Sequence, residues 1–436
     1  MRPTRLPIVI AAALGLLALT APITAAADGS TIDSGDTAWL LVATAMVMVM
    51  LPGLALFYGG LVRRKNVLST IMHSFFGLAI VSVIWVLWGY SLAFGPDANG
   101  AGLIGNLSFL GFSGVGLAPD PAYAATIPHV LFASFQLMFA AITPALITGA
   151  FAERKRFAAF VIFTVLWSTF VYSPLAHWVW APGGWLRSLG ALDYAGGTVV
   201  HISSGVSAFV VAILIGRRTL SGERMEPHDV PMTILGAGLL WFGWFGFNAG
   251  SALGATGQAA NALLVTNTAA GAATLTWVLA SYLHKGKVSV LGAACGAVAG
   301  LVAITPASGF VTAGGAVVIG LCVGAVCYSA TLLRERLKID DALDVFAVHG
   351  VGGTFGAIAT GVFAVSAVGG VSGAIEGNIG QVGIQLVAVA ATYAFAGGAT
   401  FVIVKIVDFL LGIRVPSRDE EMGLDLAVHG EVAYTS

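Results

Sequence analysis

Two stretches of the 436-residue chain carry the same order of residues, DYAGGTVVHISSG at positions 193–205 and DVFAVHGVGG at positions 344–353. In each stretch an acid precedes a histidine, His201 or His349, and small residues follow the histidine. A pattern repeated so far apart favours two related halves that each supply one histidine. The pattern therefore predicts an internal structural repeat.

The composition is that of a membrane protein. Hydrophobic residues make up 58% of the chain and charged residues only 9%, whereas soluble domains are about 25% charged. The 57 glycines indicate close helix contacts, because small residues let helix backbones approach each other in a membrane. The net charge of -1 argues against nucleic acid as a partner, since phosphate binding needs an excess of Lys and Arg.

The apolar segments predict an all-α integral membrane protein with eleven transmembrane helices. A bilayer core of about 30 Å takes about 20 helical residues, and a scan at that length gives eleven segments after residue 27. They cover residues 39–61, 71–94, 127–151, 157–177, 198–215, 232–249, 261–283, 288–305, 312–333, 345–365 and 384–411.

The basic residues orient these spans. Cytoplasmic loops hold an excess of Lys and Arg, and here the basic clusters fall in every second connection. They are Arg63, Arg64 and Lys65; Arg154, Lys155 and Arg156; Arg217, Arg218 and Arg224; Lys285 and Lys287; Arg334, Arg336 and Lys338; and Arg414 and Arg418. The other connections hold a single basic residue, Arg187. An outside N-terminus and a cytoplasmic C-terminus follow.

The N-terminal segment resembles a secretory signal peptide in its order of residues. Arg2 and Arg5 precede an apolar run at 8–19, and three alanines precede Asp28, which predicts cleavage after residue 27. A short uncleaved anchor helix is the alternative. The chain then divides into a signal peptide at 1–27, a transmembrane domain at 28–413 and a cytoplasmic tail at 414–436.

Ten of the eleven spans divide into two groups of five. An odd number of spans per group makes the groups insert with opposite topology, and such inverted repeats place a substrate site at their interface near the membrane midplane. We expect repeats at about 39–215 and 232–365, followed by a long eleventh helix at about 384–411.

Histidines are the main ionisable residues inside the predicted spans. His201 and His349 lie deepest, whereas His73 and His129 are nearer the ends. Ionisable groups in a membrane usually serve function, and a neutral imidazole both donates and accepts a hydrogen bond. An apolar pathway with two imidazoles indicates a substrate that crosses neutral or gives up its proton. The alternative is that each histidine only bonds a neighbouring helix.

The sequence offers little for other site chemistries. A closed zinc site needs about four ligands, and no Cys or further His stands at suitable spacing. No nucleophile motif, phosphate loop or dinucleotide motif supports an enzyme or a cofactor. The stretch GGVSGAIEGNIG, at 369–380, follows no predicted strand.

Aromatic side chains gather on the predicted outer side. Aromatic faces hold small cations through their quadrupole, and a hydroxyl oxygen accepts a hydrogen bond from the cation. Plain packing and an interfacial aromatic belt are the alternatives. The residues are Phe135, Gln136 and Phe139 in the third span, Trp180 after the fourth, and Phe247 and Ser251 at the end of the sixth.

These segments resemble the Amt/Mep/Rh ammonium transporters, and specifically their bacterial Amt branch. The resemblance covers nearly all of the predicted mature chain. It is carried by PGLALFYGGLVRRKNVLS, GYSLAFG, GALDYAGGTVVHI, GWFGFNAGS, DDALDVFAVHGVGG and GIRVPSRDEEMGLDLAVHGEVAY, in that order. It implies the ammonium transporter fold, a bacterial inner membrane location, and a homotrimer with one pore through each subunit.

The resemblance also assigns roles to residues. Cys295 stands where some relatives have serine, so it and Thr305 are uncertain pore-lining positions. The implied roles are an outer ammonium site of Trp180, Phe139 and Ser251 with Phe135 and Gln136 nearby, a gate of Phe139 and Phe247, structural support from Asp193, and pore histidines His201 and His349.

The function implied is ammonium transport, with methylammonium as an analogue. The cation is recruited outside and deprotonated, and ammonia passes the histidines; separate passage of the proton along the histidine pair would make transport electrogenic, and this stays open. The tail resembles the part of the family that meets a trimeric PII-type signal protein. An ammonium sensor with little flux, or a passive channel for ammonia or carbon dioxide, is the alternative.

Overall fold

The computed structural model describes residues 31–219 and 226–435. The predicted signal peptide and Arg224 lie outside the described residues. Within them all regular secondary structure is helical, and β pairing is limited to isolated bridges. The all-α prediction is thus confirmed.

Eleven apolar helices, here α1 to α11, form one bundle. Ten are long and apolar enough to cross a membrane, and α8 is a shorter apolar helix of 15 residues. In chain order the described helices are α1 Ser34–Leu61, α2 Arg64–Phe94, α3 His129–Phe151, α4 Phe157–Leu189, α5 Gly197–Ile215, α6 Val230–Ala252, α7 Gly257–Lys285, α8 Val290–Ile304, α9 Ala313–Arg336, α10 Phe346–Phe363 and α11 Gly380–Leu411.

The two helices that carry the conspicuous histidines cross at glycines. Gly205 and Gly353 each follow a histidine by four residues, so each lies on the same helix face as that histidine. A Cβ on Gly205 would collide with the backbone of Gly350, and a Cβ on Gly353 would press on the Cβ of His201 at 3.0 Å. This reciprocal contact brings the two halves together at the histidines, as expected for inverted repeats.

Both helices begin with a wide turn that contains the histidine. The first residues of α5, Gly197–Ile202, and of α10, Phe346–Val351, are π-helical. Such segments are rare and occur mostly at functional sites. The same irregularity at the same place in both halves is a second sign of the repeat.

The acid that matches Asp193 is Asp341, not Asp344. Asp193 and Asp341 both precede their histidine by eight residues. The Asp341 carboxylate accepts the backbone N–H of Phe346 at 2.7 Å, at the start of α10. Asp344 instead forms an ion pair with Arg334 at 2.5 Å. The repeated sequence pattern had matched Asp193 with Asp344, which is nearer to His349 along the chain than Asp341 is.

The basic connections meet at one end of the bundle. Glu153, which is buried, binds Arg63 at 2.7 Å and Arg218 at 3.2 Å. Asp340 binds Arg218 at 2.7 Å and Arg154 at 3.1 Å. Connections that the charge pattern assigns to one side of the membrane are therefore joined by a single ion-pair network.

The C-terminal tail packs on the same end. Its short helix Ser417–Met422 buries Glu420, whose carboxylate accepts the N–H of Thr219 at 2.7 Å and binds Arg414 at 2.8 Å. Farther along, Asp425 accepts the N–H of Ser69 at 2.8 Å, near the start of α2. The tail is thus tied both to the connection that follows α5 and to the start of α2.

Candidate functional site

A cavity of about 300 Å³, here called the outer cavity after the predicted orientation, lies at the end of the bundle away from the ion-pair network. Trp180, Phe139, Ser251 and Gln136 line it, so four of the five residues predicted for the outer ammonium site come together from three helices. Phe135 does not line it; this residue is fully buried behind Phe139, with ring centroids 4.9 Å apart.

Two oxygen atoms of this cavity are suited to accept a hydrogen bond. The Ser251 hydroxyl donates its proton to the carbonyl of Phe247 at 2.9 Å, which leaves the hydroxyl oxygen as an acceptor. The buried Oε1 of Gln136 has no hydrogen-bond partner among the described residues. Trp180 is held by its indole N–H, which donates to the carbonyl of Asp193 at 2.9 Å.

Two phenylalanines close the bottom of the outer cavity. The rings of Phe139 and Phe247 lie 4.2 Å apart between centroids, and both side chains are buried. Phe139 faces the outer cavity, whereas Phe247 lines a small internal space. The pair therefore lies between the outer cavity and the internal space.

The histidines lie directly below this pair. His201 stacks on Phe247 with centroids 6.1 Å apart, and its Nδ1 is 3.3 Å from Nδ1 of His349. The internal space holds about 10 Å³, enough for about one water-sized molecule. Its wall is otherwise nearly all apolar: Met50, Leu54, Phe57, Tyr58, Ile142, Leu146, Val200, Leu240, Trp244, Phe247 and Val298.

Trp244 is a site residue that the sequence analysis missed. Its ring stacks on His201 at 5.5 Å, and its indole N–H donates to the Thr305 hydroxyl at 2.8 Å. Thr305 in turn donates to the carbonyl of Leu301. Thr305 is fully buried and lies behind Trp244, holding that ring against the histidine. The three-residue spacing of Trp244 and Phe247, which places both on one helix face, was the available signal.

A wide cavity of about 750 Å³ opens beyond the histidines, toward the ion-pair network. His349 borders both this inner cavity and the small internal space. Cys295 lines the inner cavity, so of the two uncertain positions it is the one that faces the pathway.

Asp193 fixes the start of α5. Its carboxylate accepts the backbone N–H groups of residues 196, 197, 198 and 199 at 2.8, 2.5, 2.8 and 3.2 Å, and also the Thr198 hydroxyl. The first N–H groups of a helix have no partner within the helix. One side chain satisfies them here and so holds the turn that carries His201.

The two shallower histidines lie off the pathway. His129 shares a 2.5 Å hydrogen bond with the hydroxyl of Tyr90, and His73 packs between aromatic rings at the opposite end, 4.6 Å from that of Phe160. No group of three or more metal-ligating side chains occurs in the described ranges.

Comparisons with known proteins agree with this arrangement. Residues 38–434 match the family described as Ammonium Transporter Family. An ammonium transporter of Bacillus subtilis is 53% identical over 403 residues, which are 92% of this chain and 98% of that protein. The crystal structure of Saccharomyces cerevisiae Mep2 superposes with a TM-score of 0.84 at 40% identity, covering 89% of each chain.

A structure titled Sensor Amt Protein also superposes, with a TM-score of 0.83 at 31% identity, covering 90% of this chain and 98% of that one. The matches span the whole described bundle. The chain belongs to the Ammonium Transporter Family.

Proposed function

We propose that this protein carries ammonium across the membrane by moving ammonia through its own pore. The observation that carries the proposal is the order of spaces along the bundle: the outer cavity, the closed pair Phe139 and Phe247, the internal space beside His201 and His349, and the inner cavity. The narrow part of this series of spaces is apolar and about the size of one water molecule. A hydrated cation does not fit there, whereas ammonia does.

The outer cavity recruits the cation. Trp180 and Phe139 offer aromatic faces, each worth roughly 0.5–2 kcal/mol to a cation. The oxygens of Ser251 and Gln136 accept its N–H groups. Such oxygens also attract potassium, but only ammonium adds directed N–H hydrogen bonds, so the positions of these two oxygens distinguish it from an ion of similar size and charge.

The gate and the histidines then act on the neutral molecule. Entry of a bare cation into the apolar segment carries a large desolvation cost, and release of one proton above Phe247 removes most of it. Ammonia passes His201 and His349 by exchanging hydrogen bonds with their nitrogens. The proton follows separately along the histidine pair, which makes transport electrogenic.

Currents on supported membranes after an ammonium step test this mechanism. We expect the currents of the wild-type protein to be selective for ammonium over potassium. A variant with both His201→Ala and His349→Ala should lose the current or its selectivity. Undiminished and still selective currents in that variant would refute the relay.

The two alternative functions, an ammonium sensor and a passive gas channel, differ from a transporter in flux or in the species that they bind. Uptake of labelled methylammonium into transporter-deficient cells is expected; binding without uptake would indicate a sensor instead. A passive gas channel would show no dependence of its KM on Trp180 or Ser251, because a neutral gas needs no cation site.

We also propose the cellular setting that the family resemblance implies. The protein is a homotrimer in a bacterial inner membrane, with its N-terminus outside after removal of residues 1–27 and its C-terminus in the cytoplasm. Native mass and N-terminal sequencing of the purified protein test these points.

A PII-type signal protein docks at the tail. The fold-back of residues 414–435 onto the inner end supports this placement, because it holds the tail beside the mouth of the inner cavity. A pull-down from nitrogen-replete extract should recover PII protein with the full chain and lose it when residues 415–436 are deleted. Equal recovery would refute the docking.

A further inference from the structure

The outer cavity contains a positive charge that its proposed role does not explain. Arg187 lines the cavity together with Trp180 and Ser251, and its side chain is exposed. Its guanidinium donates a hydrogen bond to the main-chain carbonyl of Trp180. Within the part of the chain that the structure describes, Arg187 has no ion-pair partner.

Asp193 is the acid among the residues that line the cavity, and it is buried with its oxygens turned onto the backbone N–H groups of α5. Its charge acts on a bound cation whether or not residue 187 is charged, and among the described residues it forms no ion pair with Arg187. A cation that enters the cavity therefore meets the field of Arg187.

We infer that Arg187 sets the affinity of the outer cavity for ammonium, by repelling the bound cation. This inference rests on the proposed recruitment of a cation at this cavity. The residue acts mainly on the charged species, since a unit charge interacts far more weakly with a neutral dipole such as ammonia than with a second unit charge. Arg187 thus lowers occupancy of the cavity without contacting the apolar pathway below the gate.

The size of the effect follows from the dimensions of the cavity. A compact space of about 300 Å³ is on the order of 8 Å across. Two unit charges about 8 Å apart change a binding constant about twofold in a medium like water, and about thirtyfold at an effective dielectric constant of about 20. Because Arg187 is exposed, we expect a value toward the lower end.

The test compares Arg187→Gln with Arg187→Lys in proteoliposomes, with the KM for ammonium-induced current as the readout. Glutamine keeps a hydrogen-bond donor for the Trp180 carbonyl and removes the charge, whereas lysine keeps the charge. At about 10 mM ionic strength, where the Debye length is about 30 Å, Arg187→Gln should lower KM about twofold or more. Arg187→Lys should leave KM unchanged, and the difference between the variants should vanish near 1 M salt.

Two controls separate the outcomes. Arg336→Gln, at the exposed opposite end of the bundle, should leave KM unchanged. Ser251→Ala should raise KM if the cavity recruits the cation. An unchanged or raised KM in Arg187→Gln beside a raised KM in Ser251→Ala would overturn the inference alone. Unchanged KM in both would overturn the recruitment itself. Equal effects of the Gln and Lys variants would assign the role to the hydrogen bond and overturn the electrostatic account.

Discussion

Replacement of Asp193 by asparagine should destabilise the protein far more than the matching change at Asp341. The two acids occupy equivalent places, each eight residues before a pore histidine. They differ in their hydrogen bonds. Asp193 accepts four backbone N–H groups, whereas Asp341 accepts that of Phe346 through Oδ2, and its Oδ1 has no hydrogen-bond partner among the described residues.

The magnitude follows from counting acceptors. In Asp193→Asn one oxygen becomes an NH₂ group, so two of the four backbone N–H groups face a donor. A buried group left without its partner costs about 1–3 kcal/mol, which gives a loss of roughly 2–6 kcal/mol. In Asp341→Asn the amide oxygen takes the place of Oδ2 and keeps the hydrogen bond from the N–H of Phe346. Burial also raises the pKa of Asp341, so a neutral side chain suits that position. We expect a loss of about 1 kcal/mol or less.

The assay is thermal unfolding of the two variants in detergent, with tryptophan fluorescence as the readout. Asp193→Asn should melt well below the wild-type protein, and Asp341→Asn close to it. Methylammonium uptake, corrected for the amount of folded protein, should fall mainly in Asp193→Asn, because the freed turn carries His201. Equal melting temperatures for the two variants, or a lower one for Asp341→Asn, would refute this account of how α5 begins.

Three further variants probe the crossing, the tail and the ion-pair network. Gly205→Ala should abolish folding or cost more than about 3 kcal/mol, because its Cβ collides with backbone at the helix crossing; Gly271→Ala, with open space around it, is the control and should cost nothing. Glu420→Ala should free the tail, so limited proteolysis should cut it faster than in the wild-type protein, and equal cleavage rates would contradict the docking. Burial alone would raise the pKa of Asp340, but hydrogen bonds from Arg218 and the nearby guanidinium charges lower it to about 2. Its ionised form therefore adds about 2 kcal/mol of stability above pH 4, and this contribution is lost as the pH falls toward 2. The melting temperatures of Asp340→Asn and the wild-type protein should converge over that range. A constant difference between them would contradict this role of the Asp340 carboxylate.

The sequence was most informative where hydropathy and charge act along the chain. The number of spans, the grouping of basic connections and the two deep histidines all follow from local patterns that a membrane imposes. The helix ends were less accurate. The second helix begins at Arg64, not near residue 71, because backbone hydrogen bonding continues past the apolar segment into the polar end.

Contacts between distant segments were the least predictable part. Trp244 and Thr305 are 61 residues apart, and no local pattern signals that one holds the other. The choice of Asp344 over Asp341 had a similar cause. Both acids precede His349, and only the path of the backbone decides which carboxylate reaches the start of α10. Phe135 shares a helix face with Phe139. A neighbouring helix nevertheless covers the Phe135 ring, at Gly250.

The pairing of the two histidines through Nδ1 has a consequence for selectivity. Nδ1 of His201 and Nδ1 of His349 lie 3.3 Å apart, so one must donate a proton and the other must accept it. The donor ring then has a bare Nε2 and the acceptor ring an Nε2–H, because a neutral imidazole carries a single proton. The pair thus presents one acceptor and one donor to whatever passes. The two roles are exchanged when the bare Nε2 takes up a proton, the shared proton moves to the other Nδ1, and that second ring releases its Nε2 proton. Ammonia satisfies both nitrogens in turn, since it donates and accepts hydrogen bonds. A potassium ion is attracted to the lone pair of the bare nitrogen but is repelled by the N–H of the other ring, so the pair satisfies ammonia at both nitrogens and the competing cation at only one.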